Sequence, residues 1–536
     1  MLRIYFMKFT HIPFHKTGFF SKTITDYIDQ KQSIEQFYNN FPDMKGFASQ
    51  INEKKKSFDS ATRLKLVTVL KDQYRNLAVT EATTENINSL ENEETFTITT
   101  GHQLNLFTGP LYFLYKIIST INLTETLTEQ FPNQRFVPVF WMATEDHDFE
   151  EINYFNFKEE KVTWDRPNGG AVGRFSLEGL KEVHAHFSQQ LGDTKNAIFL
   201  SQLFEKAYVL HSNLADATRY IANELFKSYG LVILDADDQR LKNIFAPVMK
   251  DELLYQTSKK AVSKTILNLE KKYKIQVNPR DINLFYLTEN SRERIIENEG
   301  KYTIHNTDLV FSEAEILNEL ENHSDRFSPN VIMRPLYQEV ILPNLCYIGG
   351  GGELAYWLQL KSYFEASEIP FPILLLRNSV QIVSKKQVKK LHNLDISFEE
   401  IFMKQHLLIA KKVQENSDIQ FSFADAIELL TQQFLALRRI ANDTDDSFIG
   451  AVDAQQRKQL KGLENLEKRL LRAEKRKQVD RTNRIITLQD QLLPNKSLEE
   501  RQRNFSEYYL AHGYDLIIAL KESLKPLEQA FTILEL

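Results

Sequence analysis

The chain has 536 residues, of which 42% are hydrophobic and 26% are charged, a composition typical of a soluble globular protein. A chain of this length predicts about two to four structural units. Its 66 basic and 72 acidic residues leave a net charge of −6, so nothing here indicates a nucleic-acid partner. Cys346 is the single cysteine, which excludes an intrachain disulfide framework and a multi-cysteine zinc site within one chain.

The sequence contains neither a targeting nor a membrane-spanning signal. No uninterrupted apolar run approaches the roughly 20 residues needed to cross a bilayer, so we expect no membrane partner. The opening stretch MLRIYFMKFTHIPFHKTGFF lacks the continuous apolar segment and the small-residue cleavage site of a signal peptide. With the single cysteine, these features favour a reducing, cytoplasmic compartment.

The first segment with a clear periodicity is a helical lead-in over residues 20–92. Apolar residues between Ile24 and Tyr38 recur at three- and four-residue spacing, as on an amphipathic helix. A second helix is expected near Ala61 to Leu77. We therefore predict a helical region that packs on a core formed by the rest of the chain.

The stretch TITTGHQLNLFTGPLYFLYKI, Thr97 to Ile117, predicts a strand, a polar turn and a long helix. Its β-branched beginning favours a strand, and Gly101 permits a sharp turn. Pro110 fits the first turn of a helix that we expect to run to about Gln130. The apolar run RFVPVFWM, Arg135 to Met142, predicts the next strand. Strand, helix and strand form one βαβ unit, which predicts an α/β fold with a parallel sheet.

The middle of the chain alternates between inserted strands and core elements. Residues 153–175 predict a β-hairpin insertion with a turn at Asn168, Gly169 and Gly170. A helix is expected near Ala215 to Tyr229, followed by a third core strand in Leu231–Asp238 and a helix to about Tyr273. Short strands over 275–312 predict a second insertion.

The core resumes before residue 349, and the last third of the chain is predominantly helical. An apolar strand precedes Gly349–Gly352 and a helix follows, and Phe371–Asn378 predicts another core strand. After about Lys385, charged helices with an apolar seam predict an antiparallel coiled-coil arm. We expect helices over Leu498–Leu536 to return to the body.

The first candidate site cluster follows the strand that begins at Thr97, where a parallel sheet binds its ligands. It predicts a phosphate or carboxylate cradle, in which His102 donates to developing negative charge. The alternative is a capped turn with a structural histidine. No Gly-Lys-Ser/Thr follows at the spacing of a P-loop. The cluster comprises Gly101, His102, Gln103, Asn105, Thr108 and Gly109.

A second cluster follows the strand that ends at Met142. Its carboxylates are the groups that hold a substrate ammonium, bind Mg²⁺ or act as a base. The alternative is a solvated acidic loop that caps the next helix, and the spacing gives poor support for a zinc site at His147. The cluster comprises Glu145, Asp146, His147, Asp148, Glu150 and Glu151.

Two more clusters lie further along the chain. The glycine run permits close backbone approach to a ligand at a helix start, or is a flexible turn. It comprises Gly349, Gly350, Gly351, Gly352 and Glu353. The basic cluster offers cations for a triphosphate, or is the first turn of a surface helix. It comprises Arg377, Asn378, Ser384, Lys385 and Lys386. Cys346 is interpreted as a core residue in an unactivated setting.

Together, these strings resemble one family. TGHQLNLFTGPLYFLYK, PVFWMATEDHDFEE, GGGGELAYW and, more loosely, the end of RNSVQIVSKK are similar to those of BshC, the cysteine ligase of bacillithiol biosynthesis. The resemblance covers most of the chain. It implies a Rossmann-like core with two connecting-peptide insertions and a coiled-coil domain through which the protein forms a homodimer. It also implies that cysteine is joined to the amine of glucosaminyl-malate.

The resemblance and the patterns together predict eight segments. In chain order these are a helical N-terminal lead-in (1–92), the first part of the Rossmann-like core (93–152), the first insertion (153–212), the continued core (213–274), the second insertion (275–325), the completed core (326–384), the coiled-coil arm (385–497) and C-terminal helices (498–536).

The family's fold is similar to class I aminoacyl-tRNA synthetases and to the mycothiol cysteine ligase, which implies positions for a nucleotide. Gly101 and His102 would stand in place of the HIGH motif, and Ser384 to Lys386 roughly in place of KMSKS. Gly349 to Glu353 would line the pocket between them. These motifs are degenerate here, and the single cysteine removes the cysteine-based zinc site by which related enzymes hold the thiol. ATP with Mg²⁺ is therefore expected from the chemistry of amide formation.

The expected mechanism is adenylation of cysteine followed by attack of the sugar amine. Backbone N–H groups at His102 and Gly109 would stabilise phosphate charge. Asp146 or Asp148 would hold the cysteine ammonium or deprotonate the amine, and Arg377 would meet the malate carboxylates. Two alternatives stay open: a nucleotidyltransferase-like enzyme for another small acid, and a coiled-coil scaffold with a relic nucleotide site.

Overall fold

A computed structural model describes residues 8–167, 169–419 and 421–536. The chain forms two compact units. The first unit contains the described residues up to His15, together with Phe19–Gln381 and Glu499–Leu534. The second contains Lys16–Gly18, Ile382–Leu498 and Glu535–Leu536.

A five-stranded parallel sheet forms the centre of the first unit. Its strands, in chain order, are β1 (Thr95–His102), β2 (Arg135–Met142), β3 (Val232–Asp235), β4 (Asn344–Gly349) and β5 (Ile373–Leu376). Their order across the sheet is β5-β4-β1-β2-β3, and all four pairings are parallel. The strands are almost entirely buried, as expected when helices cover both faces. The predicted α/β fold with a parallel, Rossmann-like sheet is confirmed.

The N-terminal region is a strand followed by short helices. These elements are Lys8–Pro13, then Phe14–Thr17, Lys22–Ile28, Met44–Ser57, Ser60–Gln73 and Glu81–Ser89. Asp43 and Asp59 begin two of the helices by accepting backbone N–H bonds, as N-cap carboxylates do. The helix expected near Ala61 is confirmed. The amphipathic helix expected between Ile24 and Tyr38 is wrong in extent, because it ends at Ile28 and only the short 3-10 helix Glu35–Phe37 follows.

The helix that links β1 to β2 covers Tyr112–Gln130, so the predicted end is confirmed. Pro110 precedes this helix and does not lie in its first turn. The chain reaches it through Phe107, Thr108 and Gly109, which all have positive φ. A β-carbon on Gly109 would lie 2.6 Å from Cβ of Asn105, so glycine is required there on steric grounds as well.

The first insertion begins with a hairpin, Tyr154–Phe157 and Glu160–Thr163, as predicted. The position predicted for its turn is wrong, because the turn lies at Lys158 and Glu159, which both have positive φ without being glycine or asparagine. Asn168 lies outside the described residues. Gly169 serves close packing, since a β-carbon there would lie 2.4 Å from the carbonyl oxygen of Asn290.

Helices Leu180–Leu191, Lys195–Tyr208 and Leu214–Phe226 follow the hairpin and lead into β3. After β3, the single helix expected to reach Tyr273 is two helices, Gln239–Tyr255 and Thr257–Leu269. They are separated at Gln256, whose φ of 52° ends the first helix.

The second insertion is an antiparallel sheet. Its strands are Leu284–Leu287, Arg292–Asn298, Lys301–Ile304, Val310–Ser312 and Phe327–Pro329. Helix Glu313–Asn322 lies between the last two strands in the chain. The short strands predicted over 275–312 are confirmed. Strand Phe327–Pro329, which lies beyond that range, joins the same sheet by pairing with Leu284–Leu287.

Helix Arg334–Ile341 leads into β4, helices Gly351–Trp357 and Lys361–Ala366 join β4 to β5, and strand Ser379–Val383 follows. The C-terminal part contains helices Phe505–His512 and Asp515–Ser523 and then strand Ala530–Glu535. The expectation of helices alone after Leu498 is therefore wrong. The final strand has the β-branched and aromatic sequence AFTILE, and its central residues are buried.

The second unit is helical. Its helices are Lys385–Asn393, Gln405–Glu415, Ala424–Asn442, Asp446–Lys477 and Val479–Leu492. The third and fourth of these form a hairpin in which Phe434, Ala441 and Val452 make a buried cluster. The predicted coiled-coil arm is confirmed. Across the described residues, none of the helices is both long and apolar enough to span a bilayer.

Candidate functional site

A cavity of about 410 Å³ lies at the carboxyl ends of β1 and β4. We call it the central cavity. The sheet order reverses between these two strands, and α/β proteins bind ligands at such switch points. The polar residues that line it are His102, Gln103, Tyr112, Lys116, Asp146, Arg334, Tyr347, Glu353, Tyr356, Arg377 and Arg501.

Two further cavities adjoin the central cavity. The insertion cavity, about 460 Å³, extends to the second insertion and shares Trp141, Ala143, Asp146, Val331 and Arg334 with the central cavity. The hairpin cavity, about 320 Å³, shares Gln103, Tyr112 and Arg501 with it and extends to the hairpin strand Tyr154–Phe157. The central cavity thus lies between two compartments that share no lining residue with each other.

His102 is buried in the wall of the central cavity, with 7% of its surface exposed. One ring nitrogen bonds to the Thr108 backbone, whose N–H already donates to Asn105. Nε2 has no partner, so Nδ1–H donates to the Thr108 carbonyl and Nε2 is a bare acceptor. Burial, and then the Lys116 charge, lower the pKa of His102 to about 3. His102 is therefore neutral at pH 7, and Nε2 accepts where the sequence predicted a donor.

The lowered pKa of His102 predicts a pH-dependent stability. The unfolded chain takes up a proton at His102 near its ordinary pKa of 6.5, whereas the folded chain does so only near 3. Stability due to this group is complete above pH 6.5 and decreases as the pH falls, by at most about 1.4 kcal/mol per pH unit. We expect His102→Gln to flatten the dependence between pH 6.5 and 5.

Urea unfolding followed by tryptophan fluorescence measures this effect in the first unit alone, since Trp141, Trp164 and Trp357 all lie there. The window stays above the ordinary pKa of 4.5 for Glu353, which therefore contributes little. Identical slopes for the unmodified chain and His102→Gln would contradict a buried neutral histidine.

Lys116 and Glu353 connect three elements beneath the central cavity. Nζ of Lys116 lies 2.7 Å from Oε2 of Glu353 and donates to the Gly101 carbonyl at 2.6 Å. Glu353 also accepts from the Tyr347 hydroxyl and from the Gly350 N–H, both at 2.7 Å. Burial alone raises the pKa of Glu353, but the Lys116 charge and these bonds lower it to about 2. The ends of β1 and β4 are thus tied together by an ionised pair.

The glycine run contributes to the cavity at only some positions. Gly350 and Gly352 line it, and a β-carbon on Gly352 would meet no atom within 4 Å. Gly349 packs against Leu354 and Tyr347, and a β-carbon on Gly351 would face Ile24. Because Gly350 N–H already donates to Glu353, that donor is not available to a ligand.

Asp146 lies where the central and insertion cavities meet. Gln103 Nε2 donates to its Oδ2 at 2.8 Å, and the His147 backbone N–H donates to its Oδ1 at 2.7 Å. Burial alone raises the pKa of Asp146, but hydrogen bonds from His147 and Gln103 outweigh it and hold the pKa well below its ordinary value. Asp146 is therefore a carboxylate that faces two cavities.

Glu145 and His147 line the insertion cavity beside Asp146. Glu145 is paired with Lys242 at 2.6 Å, and Nδ1 of His147 is 3.0 Å from Nη1 of Arg292. Burial raises the pKa of Glu145, although Lys242 opposes it. Glu145 and Lys242 thus form a buried ion pair behind the cavity wall.

Arg377 lines the central cavity, but most of its donors are used. Nη2 donates to Glu500 Oε1 at 2.7 Å and Nη1 donates to the Asn378 carbonyl at 2.9 Å. Its guanidinium lies 4.9 Å from the Tyr112 ring, and its Nε has no partner. Arg377 therefore presents positive charge to the cavity from a fixed position.

Several residues predicted from the sequence lie elsewhere. Asp148 is exposed and caps the helix Phe149–Ile152 by accepting from the Glu151 N–H. Asn105 and Gly109 line the hairpin cavity, and Thr108 is buried beside His102. Gly109 N–H donates to the Leu106 carbonyl, so it is not free for phosphate.

Asn378, Ser384 and Lys385 do not line the central cavity. Asn378 is buried and bonds to Ser119 and to the Lys525 carbonyl. Ser384 and Lys385 belong to the second unit, where Ser384 caps the helix that begins at Lys385. Their roles as nucleotide ligands stay predictions.

Three basic residues of the cavity were not found from the sequence: Lys116, Arg334 and Arg501. Lys116 is the one basic residue of helix Tyr112–Gln130 and lies among apolar residues in its first half, which was an available signal. Arg334 lies 5.5 Å from the Tyr347 ring and 5.7 Å from the Trp141 ring. Nothing local in the sequence distinguishes Arg334 or Arg501 from surface arginines.

Comparisons with known proteins match the whole described architecture. The N-terminal Rossmann-like domain of BshC, described as a bacillithiol biosynthesis protein, matches residues 7–378, and the C-terminal coiled-coil domain of BshC matches residues 380–536. A relative from Flavobacterium johnsoniae named "Putative cysteine ligase BshC" is 56% identical over 98% of this chain and 99% of its own length.

Relatives with the same name extend to more distant organisms. The one from Cytophaga hutchinsonii is 40% identical and covers 95% of both chains, and the one from Bacillus mycoides is 26% identical over 93% of this chain and 95% of its own length. The family matches cover both the sheet that holds the cavities and the helical arm. This chain therefore belongs to the BshC family.

Proposed function

We propose that this chain is a cysteine ligase, which forms an amide between the carboxyl group of L-cysteine and the amine of glucosaminyl-malate to give bacillithiol. The name of its relatives supports cysteine ligation, and the description of the family supports a role in bacillithiol biosynthesis. One structural observation carries it: a cavity at the switch point of the sheet is lined by Lys116, Arg334, Arg377 and Arg501 together with the carboxylates of Asp146 and Glu353. Such a lining suits reactants that carry both anionic and ammonium groups.

Asp146 is the group that holds the ammonium of cysteine. Its lowered pKa keeps it ionised at neutral pH, and it faces the central cavity. Glu353 is less suitable, because Lys116, Tyr347 and Gly350 already occupy its oxygens. An ion pair with Asp146 fixes one end of the amino acid and leaves its carboxylate among the basic residues.

The basic residues fit the phosphates of ATP. Nη2 of Arg334 and Nε of Arg377 are buried without a partner, so both have a donor for an anion. Among the described residues, no group of three or more ligating side chains is placed to hold a metal. Mg²⁺ would thus be held mainly by phosphate oxygens and water, as is usual for this ion. ATP with Mg²⁺ supplies the leaving group that makes a carboxylate reactive.

His102 acts on the attacking amine. Because its Nδ1 proton is held by Thr108, the neutral Nε2 accepts a hydrogen bond from the amine of the second substrate. Because the ring is neutral, it also does not compete with the cysteine ammonium for the carboxylate of Asp146. His102 thus orients the nucleophile, and its low pKa makes it a weak base.

The direct test is to incubate the full chain with L-cysteine, glucosaminyl-malate, ATP and Mg²⁺ and to follow bacillithiol by mass and AMP by chromatography. We expect both products in equal amounts. AMP with other amino acids but not with cysteine would indicate a different nucleotidyltransferase. Absence of any product above a control without protein contradicts the ligase and favours a scaffold.

We expect Asp146→Asn to raise the KM for cysteine roughly tenfold or more, because a charge-assisted bond to a buried carboxylate contributes about 1.5–3 kcal/mol. The KM for glucosaminyl-malate should change much less. Asp148→Asn is the matched comparison, because the sequence alone left open which of the two aspartates holds the cysteine ammonium. A larger increase at Asp148 than at Asp146 would reverse the assignment.

We further propose a cytoplasmic homodimer that assembles through the coiled-coil arm. The single cysteine suits a reducing compartment. The arm helices expose large apolar side chains at Leu429, Leu437, Ile440 and Leu466, and a second copy would cover them. Light scattering of the full chain should give twice the mass of one chain.

A further inference from the structure

We propose that the hairpin cavity binds the hydroxyl groups of the glucosamine ring. This inference rests on the proposed function and names the place of one substrate. The cavity has a volume of about 320 Å³, within the range of about 300–1,000 Å³ typical of small-molecule sites. It opens beside the central cavity and shares Gln103, Tyr112 and Arg501 with it.

The chemistry of the lining distinguishes this cavity from its neighbours. Gln103, Asn105, Asn156 and Gln502 contribute amides, and Glu151 contributes a carboxylate. Amides donate and accept hydrogen bonds at once, which matches hydroxyl groups that do the same. The insertion cavity instead carries three arginines, two carboxylates and His147, and the central cavity carries six charged side chains. A neutral, hydroxyl-rich ring fits the hairpin cavity best.

Asn105 is the residue that points most directly to a ligand. Only 8% of its surface is exposed, and its Nδ2 donates to the Glu151 carbonyl at 3.0 Å. Its Oδ1 is buried without any partner, an arrangement that a hydroxyl donor would satisfy. A β-carbon at Gly109 would lie 2.6 Å from Cβ of Asn105, so glycine is needed there for Asn105 to keep its position.

The position of the amine in glucosamine also agrees with this assignment. The amine is bonded directly to the sugar ring, so the ring must lie next to the reacting carboxyl group. Gln103 bridges the two compartments, because its Nε2 donates to Asp146 and to Glu151, each at 2.8 Å. A ring in the hairpin cavity therefore directs its amine toward Asp146 and the central cavity.

Isothermal titration of the full chain with glucosaminyl-malate, without cysteine or ATP, tests the proposal by binding alone. We expect Asn105→Ala to weaken binding roughly three- to tenfold, the effect of one lost hydrogen bond. Asn105→Asp retains an acceptor oxygen and should bind more tightly than Asn105→Ala. In steady-state assays, Asn105→Ala should raise the KM for glucosaminyl-malate while leaving that for cysteine unchanged.

Tyr154→Ala provides a second variant in case the loop around Asn105 fails to fold, since Tyr154 is half-buried and lines the same cavity. It should also weaken binding. Asn52→Ala and Tyr255→Ala are matched controls at exposed positions outside the three cavities and should bind as the unmodified chain does. Unchanged binding in both Asn105→Ala and Tyr154→Ala overturns the sugar site while leaving the ligase intact. Lack of both binding and product in the unmodified chain overturns the ligase as well.

Discussion

Replacement of Lys242 by methionine is expected to destabilise the first unit by about 3–5 kcal/mol, the usual effect of breaking a buried ion pair on one side. Nζ of Lys242 lies 2.6 Å from Glu145 and 2.9 Å from Asp237, and its side chain is 1% exposed. Methionine has a similar length, so the change removes mainly the charge. Two buried carboxylates then lose a shared cation, although Arg174 still pairs with Asp237.

Urea unfolding followed by tryptophan fluorescence measures the loss at pH 7. Lys250→Met is a matched control, because Lys250 is exposed on the same helix, Gln239–Tyr255. Lys242→Met combined with Glu145→Gln should recover part of the stability, since one uncompensated charge is then absent. Equal midpoints for Lys242→Met and Lys250→Met would show that the pair contributes nothing.

Loss of the Lys242 ion pairs should also weaken substrate binding in the cavities. Glu145 directly precedes Asp146, and both line the insertion cavity. Movement of Glu145 after loss of Lys242 displaces the loop that presents Asp146 to the central cavity. We therefore expect the variant to bind cysteine more weakly even under conditions where it is folded.

Most strands of the central sheet could be predicted because they are buried on both faces and appear as apolar runs, whereas β1 could be predicted from its β-branched residues. Arg135–Met142 agrees residue for residue with β2. Strand Ala530–Glu535 could not be predicted so easily, because it follows helices and finds its place in a small sheet with the distant Lys8–Pro13. The hairpin turn at Lys158 and Glu159 carries no glycine, so its residues gave no turn signal.

The site was predicted in part because the ends of parallel strands meet at one edge of the sheet. That rule brought His102, Asp146, Glu353 and Arg377 into one cavity. It does not distinguish Asp146 from Asp148, which are two positions apart on one loop. Only the backbone path decides that Asp146 faces the cavity and that Asp148 caps a helix.

The basic residues were harder to predict because their burial depends on distant partners. Lys116 lies in the apolar first half of its helix and is stabilised there by Glu353, which is far away in the sequence. Arg334 is positioned by its packing against the aromatic rings of Trp141 and Tyr347. Charge that a fold buries for function is thus specified by tertiary contacts and not by local pattern.

Lys116→Met is expected to lower kcat/KM for bacillithiol formation at least about 100-fold, since it removes a buried charge and two hydrogen-bonded connections at once. Without Lys116, Gly101 loses its bond from Nζ, and the pKa of Glu353 rises toward its ordinary value because its strongest opposing charge is absent. The pKa of His102 also rises, because the Lys116 cation is the second cause of its low value.

Two comparisons separate this role in the site from simple loss of folding. Lys56→Met changes an exposed lysine and should leave activity and stability unchanged. Lys116→Met combined with Glu353→Gln removes both charges, so stability should largely recover while activity stays low. Recovery of activity together with stability would mean that the pair only supports the fold. Persistent inactivity in a stable double variant instead requires that the pair places the ends of β1 and β4 for the reaction.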